Sequence, residues 1–418
     1  MIQNIKINNL VFGMFLVTLF FFKLPNLYIL PFLPNSFLTT QAIARILIVL
    51  VFAYTCIFRL KSNEKNVLTN NHRLTTFLII LFFAIQSLSI IEAINVASFL
   101  NRYKDVTVGI CSLFVFSFYK DRWVKILLFL VLSTVVNLAI EVFILINPEA
   151  FLRLLSPFVY QNYLKLLIAN LDRGRLYVPS YDELSIPFLF IPARKIIASK
   201  VQSYFLVFLI SFIALSSNVR SNVLMLASGI IGSLVIFKRT TFKQLLVFLV
   251  GILVLGLFVN VLIKNLVGFS FYDRLTFQNE LEDIDTITQR VDQINLSLGM
   301  VNSSLFGVGL GNYYDNLQIS KSVLSYSESR RVEIRDAREY IHNIFATTAV
   351  ESGYIGLFIF IAILFLFLKN DIKILKGNQQ HKKAFLISFW VILLWGLFNP
   401  PVSGAYQFLF WGLRGLLL

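Results

Sequence analysis

The chain has 418 residues, 57% hydrophobic and 14% charged, with a formal net charge of +15. A composition this apolar excludes a soluble globular domain and defines an all-α, polytopic membrane protein. Lys and Arg in short loops between apolar spans are what cytoplasmic retention of basic residues produces, so the basic excess gives no ground for nucleic-acid binding.

Read from the N-terminus, Lys6 followed by the apolar run 10–22 has the charge and length of a signal peptide. It closes on Phe20, Phe21, Phe22 and Lys23 instead of small residues, so a retained first helix is expected. Since some twenty apolar residues cross a bilayer, and fewer suffice inside a bundle, the hydropathy pattern predicts about twelve spans. They fall at 9–22, 40–58, 74–92, 106–119, 124–147, 181–198, 202–218, 221–237, 244–263, 342–368, 384–398 and 403–418. The sixth is interrupted by Pro187 and Pro192. Cys56 and Cys111 lie within apolar segments and read as packing residues, not as a disulfide framework.

Arg59 and Lys61, Lys120 to Lys125, Lys238 to Lys243, and Lys369 to Lys383 lie in short connections on one side of this arrangement. Both termini are therefore expected in the cytoplasm. The chain divides into spans one to five (1–147), an outer amphipathic segment (148–180), spans six to nine (181–263), a large outer loop (264–341) and spans ten to twelve (342–418). Within the first outer segment, Phe151, Leu154, Leu155, Phe158 and Val159 recur at helical spacing, as in a helix lying in the interface.

Ionisable groups close to apolar spans are costly and mark candidate sites. Arg45, Glu92, Glu141 and Arg220 all fall toward the outer side, while Glu351 lies inside the tenth span. Arg45 and Glu141 are candidates for lining a polar cavity. Arg220 occupies the polar turn Ser216-Ser-Asn-Val-Arg-Ser221, where a guanidinium can grip a phosphate with paired donors. Arg331, Arg335, Arg338 and His342, spaced four, three and four, would stack on one helical face as a cationic track ending in an imidazole. The competing reading for the three arginines is a solvated helix laced by Glu328, Glu333, Asp336 and Glu339. His342 stands at the water boundary, and imidazole is suited to taking a proton near neutral pH. The glycines of Phe306-Gly-Val-Gly-Leu-Gly311 lack the strand and helix of a dinucleotide fold and predict a tight backbone turn. Asp283 and Asp285 are too few for a metal site, and His72 and His381 lie in other loops, so neither a metal nor a cofactor is expected.

An outer loop with arginine before the Gly-Val-Gly-Leu-Gly turn, then His342-Asn343 opening a helix that carries Glu-Ser-Gly-Tyr-Ile-Gly at 351–356, resembles the O-antigen ligase and polymerase superfamily. The resemblance covers roughly 202–368 in its motifs. It implies a membrane glycosyltransferase of the C-type architecture with a large periplasmic loop, in the bacterial inner membrane, active at the periplasmic face. It further implies a donor glycan on undecaprenyl diphosphate, a glycan or lipid-linked acceptor, inversion, and no metal. Carried over, Arg220 and Arg290 would bind the diphosphate and His342 would be the base. The chain has Ser-Asn-Val-Arg where the simplest family pattern has Ser-Arg or Thr-Arg. Polymerisation of repeat units, with a chain-length regulator as a further partner, is the first reading; ligation to lipid A core is the second. A transporter or flippase for a lipid-linked sugar is the rival from another class, and the gathering of charges toward one face favours the enzyme.

Overall fold

The computed structural model describes residues 2–24, 27–28, 39–62, 70–158, 168, 181–191, 200–217, 219–238, 250–251, 254, 261, 280–302, 304–320 and 341–418. Among them every regular element is helical, apart from one isolated antiparallel bridge between Tyr28 and Thr39. The first half comprises α1 (Ile2–Lys23), α2 (Thr40–Ser62), α3 (Asn70–Leu88), α4 (Val96–Phe118), α5 (Trp123–Ile146), α6 (Pro148–Leu155) and α7 (Ile186–Leu189). The second comprises α8 (Lys200–Ser216), α9 (Arg220–Ser233), α10 (Glu280–Val301), α11 (Tyr313–Ser320), α12 (Ile344–Lys376), α13 (Gln380–Gly396) and α14 (Gly404–Gly415).

Among the described residues, five helical stretches are long and apolar enough to cross a membrane: Thr40–Phe58, Arg73–Glu92, Lys120–Ile146, Arg220–Phe237 and Ile344–Lys376. The predicted sixth span is not a continuous helix. A 3-10 turn, Asp182–Ser185, leads into the four-residue α7, where Pro187 occupies the first helical turn. The predicted ninth span, 244–263, lies almost wholly outside the described residues. The fourth starts at Val96, ten residues before its expected boundary, because Asn95 caps it: the Asn95 side-chain oxygen accepts from the Ala97 and Ser98 amides. Arg102 and Asp105, which lowered the local hydropathy, are buried within that helix.

The main core joins α1, α2, α4, α13 and α14 through interlocked rings, with Phe22 stacked on Phe408 and Phe116 edge-on to the same ring. Charge enters this core in ion pairs, two of which leave a buried atom without a hydrogen bond, Asp182 Oδ2 and Arg414 Nε. Arg414 Nη1 lies 2.7 Å from Asp371, whose other oxygen accepts from Trp390 at 2.9 Å. Lys23 lies 3.0 Å from Asp182. Arg102 grips Glu351 with Nε at 2.9 Å and Nη2 at 3.1 Å, and its Nη1 donates to the Val402 carbonyl at 2.8 Å. Such pairs need complete hydrogen bonding to offset the cost of leaving water.

Glu351, an isolated charge in a sequence reading of α12, is thus the clamp that ties α4, α12 and the loop before α14. Removing one partner strands the other. Arg102→Met or Glu351→Met alone is expected to destabilise the protein by about 3–5 kcal/mol. The double substitution should cost less than either single change, a difference that thermal unfolding in detergent would read.

The glycine-rich turn works by close backbone approach. Gly307 has φ +75°, and a Cβ there would stand 2.1 Å from the Val350 carbonyl oxygen. Its counterpart Gly353 breaks the helical geometry of α12 with φ 69° and ψ −178°. Val308 N donates to that Val350 oxygen at 2.8 Å, and Gly311 N donates to Glu351 at 3.2 Å. The turn therefore plugs into the break in α12, so Gly307→Ala should prevent that seating and lower the yield of folded protein, as seen by gel filtration.

Candidate functional site

The site assembles from two helix starts, the middle of a third helix and a loop. The first is the N-terminus of α9, where Arg220 is the first helical residue and half-buried. A helix N-terminus presents free amides and the positive end of the macrodipole, which favours an anion beside Arg220. The next residue, Ser221, donates to Asn399 Oδ1 at 3.4 Å, which ties α9 to the loop between α13 and α14.

The second is α10, a 22-residue helix within the segment 264–341. Arg290 is half-buried on it. Burial pushes its proton affinity down, and the nearby Arg220 guanidinium pushes it further in the same direction. Two cations that far apart in sequence are brought into electrostatic contact in a partly water-excluded place. That is unfavourable for the empty protein and favourable for a bound anion.

One helical turn after Arg290, on the same face, Gln293 is 8% exposed. Its Oε1 meets His342 twice, at 3.4 Å from the backbone N and 3.3 Å from ring Nδ1. Ser297, a further turn along, donates back to the Gln293 carbonyl oxygen.

His342 is fixed from its other side by Asn343, the N-cap of α12. The Asn343 Oδ1 accepts from the Phe345 and Ala346 amides at 2.9 and 3.0 Å, while Nδ2 donates to the Leu397 carbonyl at 3.2 Å. Thr347 Oγ1 adds bonds to the Ile341 and Asn343 carbonyls at 3.2 and 2.8 Å. The His-Asn pair is therefore a capped helix start with an imidazole presented just outside it.

The remaining sequence candidates separate from this cluster. Arg45 is engaged by Asp105, at 3.0 Å through Nε and 2.8 Å through Nη2, with Gly404 against both side chains. Glu141 is buried in α5. Glu92 is exposed at the end of a 3-10 turn. Arg331, Arg335 and Arg338 lie outside the described residues, as do the side chains of Asp283 and Asp285. His381 stacks on Trp123 with ring centroids 4.3 Å apart and lies far along the chain from the other site residues. Among the described residues, no three His, Cys, Asp or Glu side chains gather as a metal-binding group.

Two contributors were not read from the sequence. Asn399 sits in an unremarkable Asn-Pro-Pro stretch and gave no signal. Gln293 could have been found, because Arg290-x-x-Gln293 is a same-face spacing in any helix.

Arg220 thus stands at the start of α9 and His342 just before α12, while α10 carries Arg290 within electrostatic range of Arg220 and Gln293 against His342. Residues 205–361 match the family model of the O-antigen ligases. That stretch contains Arg220, Arg290, Gln293 and His342, and it bears out the resemblance to the O-antigen ligase and polymerase superfamily. A comparison with the curated proteins finds no match.

Proposed function

We propose that the protein is an inner-membrane glycosyltransferase that moves a glycan from undecaprenyl diphosphate to a sugar hydroxyl at the periplasmic face, polymerising repeat units of O-antigen or a related polysaccharide. The observation that carries this reading is that Arg290, within electrostatic range of Arg220, shares a helix face with Gln293, which meets His342. Each group has one task. His342 takes the proton of the acceptor hydroxyl as its oxygen attacks the anomeric carbon from the side opposite the diphosphate. The bond from that carbon to the diphosphate oxygen breaks, and the electron pair leaves with the lipid diphosphate. Arg220 and Arg290 stabilise the negative charge that grows on it. The attack inverts the anomeric centre, and the two guanidiniums supply the charge neutralisation for which other glycosyltransferases use a divalent cation.

The orientation that serves this chemistry has cytoplasmic termini, about twelve spans and the segment 264–341 as a periplasmic loop over the cavity. The unplaced arginines 331, 335 and 338 would then form an approach track for the anionic donor.

Ligation of a finished glycan to lipid A core is the second reading, favoured by the description of the matching family. Surface glycan resolved on a gel separates the two. A strain lacking the gene should show core carrying one repeat unit without a ladder, and wild type should restore the ladder. Bare core with polymer retained on the lipid carrier would instead assign the ligase.

A further inference from the structure

We infer that Gln293 is the positioning residue that fixes the tautomer of His342, presenting Nε2 as the proton acceptor. The inference rests on the reading of His342 as the base, and the geometry that supports it is independent of the substrate. The His342 backbone N–H can only donate, and it points at the same Gln293 side-chain atom as ring Nδ1, at 3.4 and 3.3 Å. That atom must therefore be the amide oxygen, an acceptor with two lone pairs. Facing an acceptor, Nδ1 must carry the ring proton, which leaves the lone pair on Nε2. Gln293 is nearly fully buried, and the Ser297 hydroxyl bonds to its backbone carbonyl, which leaves the side-chain amide oxygen to His342.

A neutral amide differs from the carboxylate that orients histidine in many hydrolytic sites. A carboxylate would stabilise the imidazolium and hold the proton; an amide fixes geometry without adding charge. Of the charged residues on the elements that build the site, α10 carries Arg290 together with Glu280, Glu282, Asp283, Asp285 and Asp292, and α9 carries Arg220. Glu351, further along α12, is committed to Arg102. A neutral orienter keeps the ring in its basic form, ready to accept a proton, and leaves the arginines to the diphosphate.

The test uses purified full-length protein in nanodiscs, with lipid-linked glycan extracted from a strain lacking the gene. Gln293→Leu is expected to lower kcat about 10- to 100-fold with KM little changed, the usual cost of losing the group that orients a histidine. Gln293→Glu should keep the hydrogen bond and favour the imidazolium. The acid limb of its rate profile should then move to higher pH by about one unit, the low end for a neighbouring opposite charge because Arg290 offsets part of it.

The chain contains 3 histidines, so ¹⁵N-histidine labelling gives few ring signals, and loss of one in His342→Ala assigns the site. Wild type should show Nδ1 protonated and Nε2 bare; Gln293→Leu should show mixed tautomers. Full activity in Gln293→Leu, or a loss in Gln293→Glu at every pH without a shift in the profile, would overturn the inference. So would a wild-type ring protonated on Nε2, a result available even if a variant fails to fold. Transfer surviving in His342→Ala would instead remove the base assignment, while the tautomer measurement would still report on Gln293.

Discussion

His342→Ala is expected to lower glycan transfer by about 10²–10⁴-fold, the range for loss of a positioned general base. The protein should still fold and insert. The cap of α12 is made by Asn343, whose bonds to Phe345, Ala346 and Leu397 do not pass through the imidazole. His342→Gln, which keeps a polar side chain of similar reach without a basic nitrogen, should be as inactive as the alanine variant. Equal thermal unfolding of the three proteins, together with the loss of transfer, would separate chemistry from structure. A His342→Ala enzyme that transfers at the wild-type rate would remove His342 as the base.

The second large effect concerns the arginine pair. Arg290→Met should lower transfer about 10²–10³-fold, the cost of losing one preorganised group that stabilises developing charge. Arg290→Lys should recover only part of it, because a lysine offers a point charge where paired donors are needed. The stability effect should have the opposite sign. Burial and Arg220 both lower the proton affinity of Arg290, so the folded state disfavours its charged form. A cation whose affinity falls on folding subtracts from stability at any pH where it is charged in the unfolded chain, which includes all physiological pH. Methionine keeps most of the apolar stem and drops the charge. The unfolding temperature of Arg290→Met should accordingly equal or exceed that of wild type while activity collapses. Inorganic pyrophosphate should raise the unfolding temperature of wild type and fail to do so in Arg220→Met and Arg290→Met. A destabilised, pyrophosphate-responsive Arg290→Met would count against a shared anion site.

The difference between what the sequence disclosed and what it concealed follows from the range of each interaction. His342-Asn343 was legible because an N-cap and its helix are neighbours in the chain, and the apolar run after Asn343 announces the helix. Arg220 was legible because a polar turn interrupts two apolar runs. The electrostatic proximity of Arg220 and Arg290 was not, since it joins positions 70 residues apart on separate helices. The Arg102–Glu351 clamp joins positions 249 apart and has no local signature. It also bears on a predicted boundary: Arg102 and Asp105 fell outside the predicted fourth span, and within α4 they are paired with Glu351 and Arg45. Arg45 also has its partner far off in the chain: Asp105, 60 residues away on another helix, engages it.

The most direct test of the central claim is release of free undecaprenyl diphosphate by purified protein in liposomes carrying lipid-linked glycan. The account predicts release coupled one for one to glycan joined to acceptor in wild type, with none above background in His342→Ala or Arg220→Met. Glycan that crosses the bilayer with its diphosphate bond intact, in wild type and variants alike, would contradict it and assign a transporter.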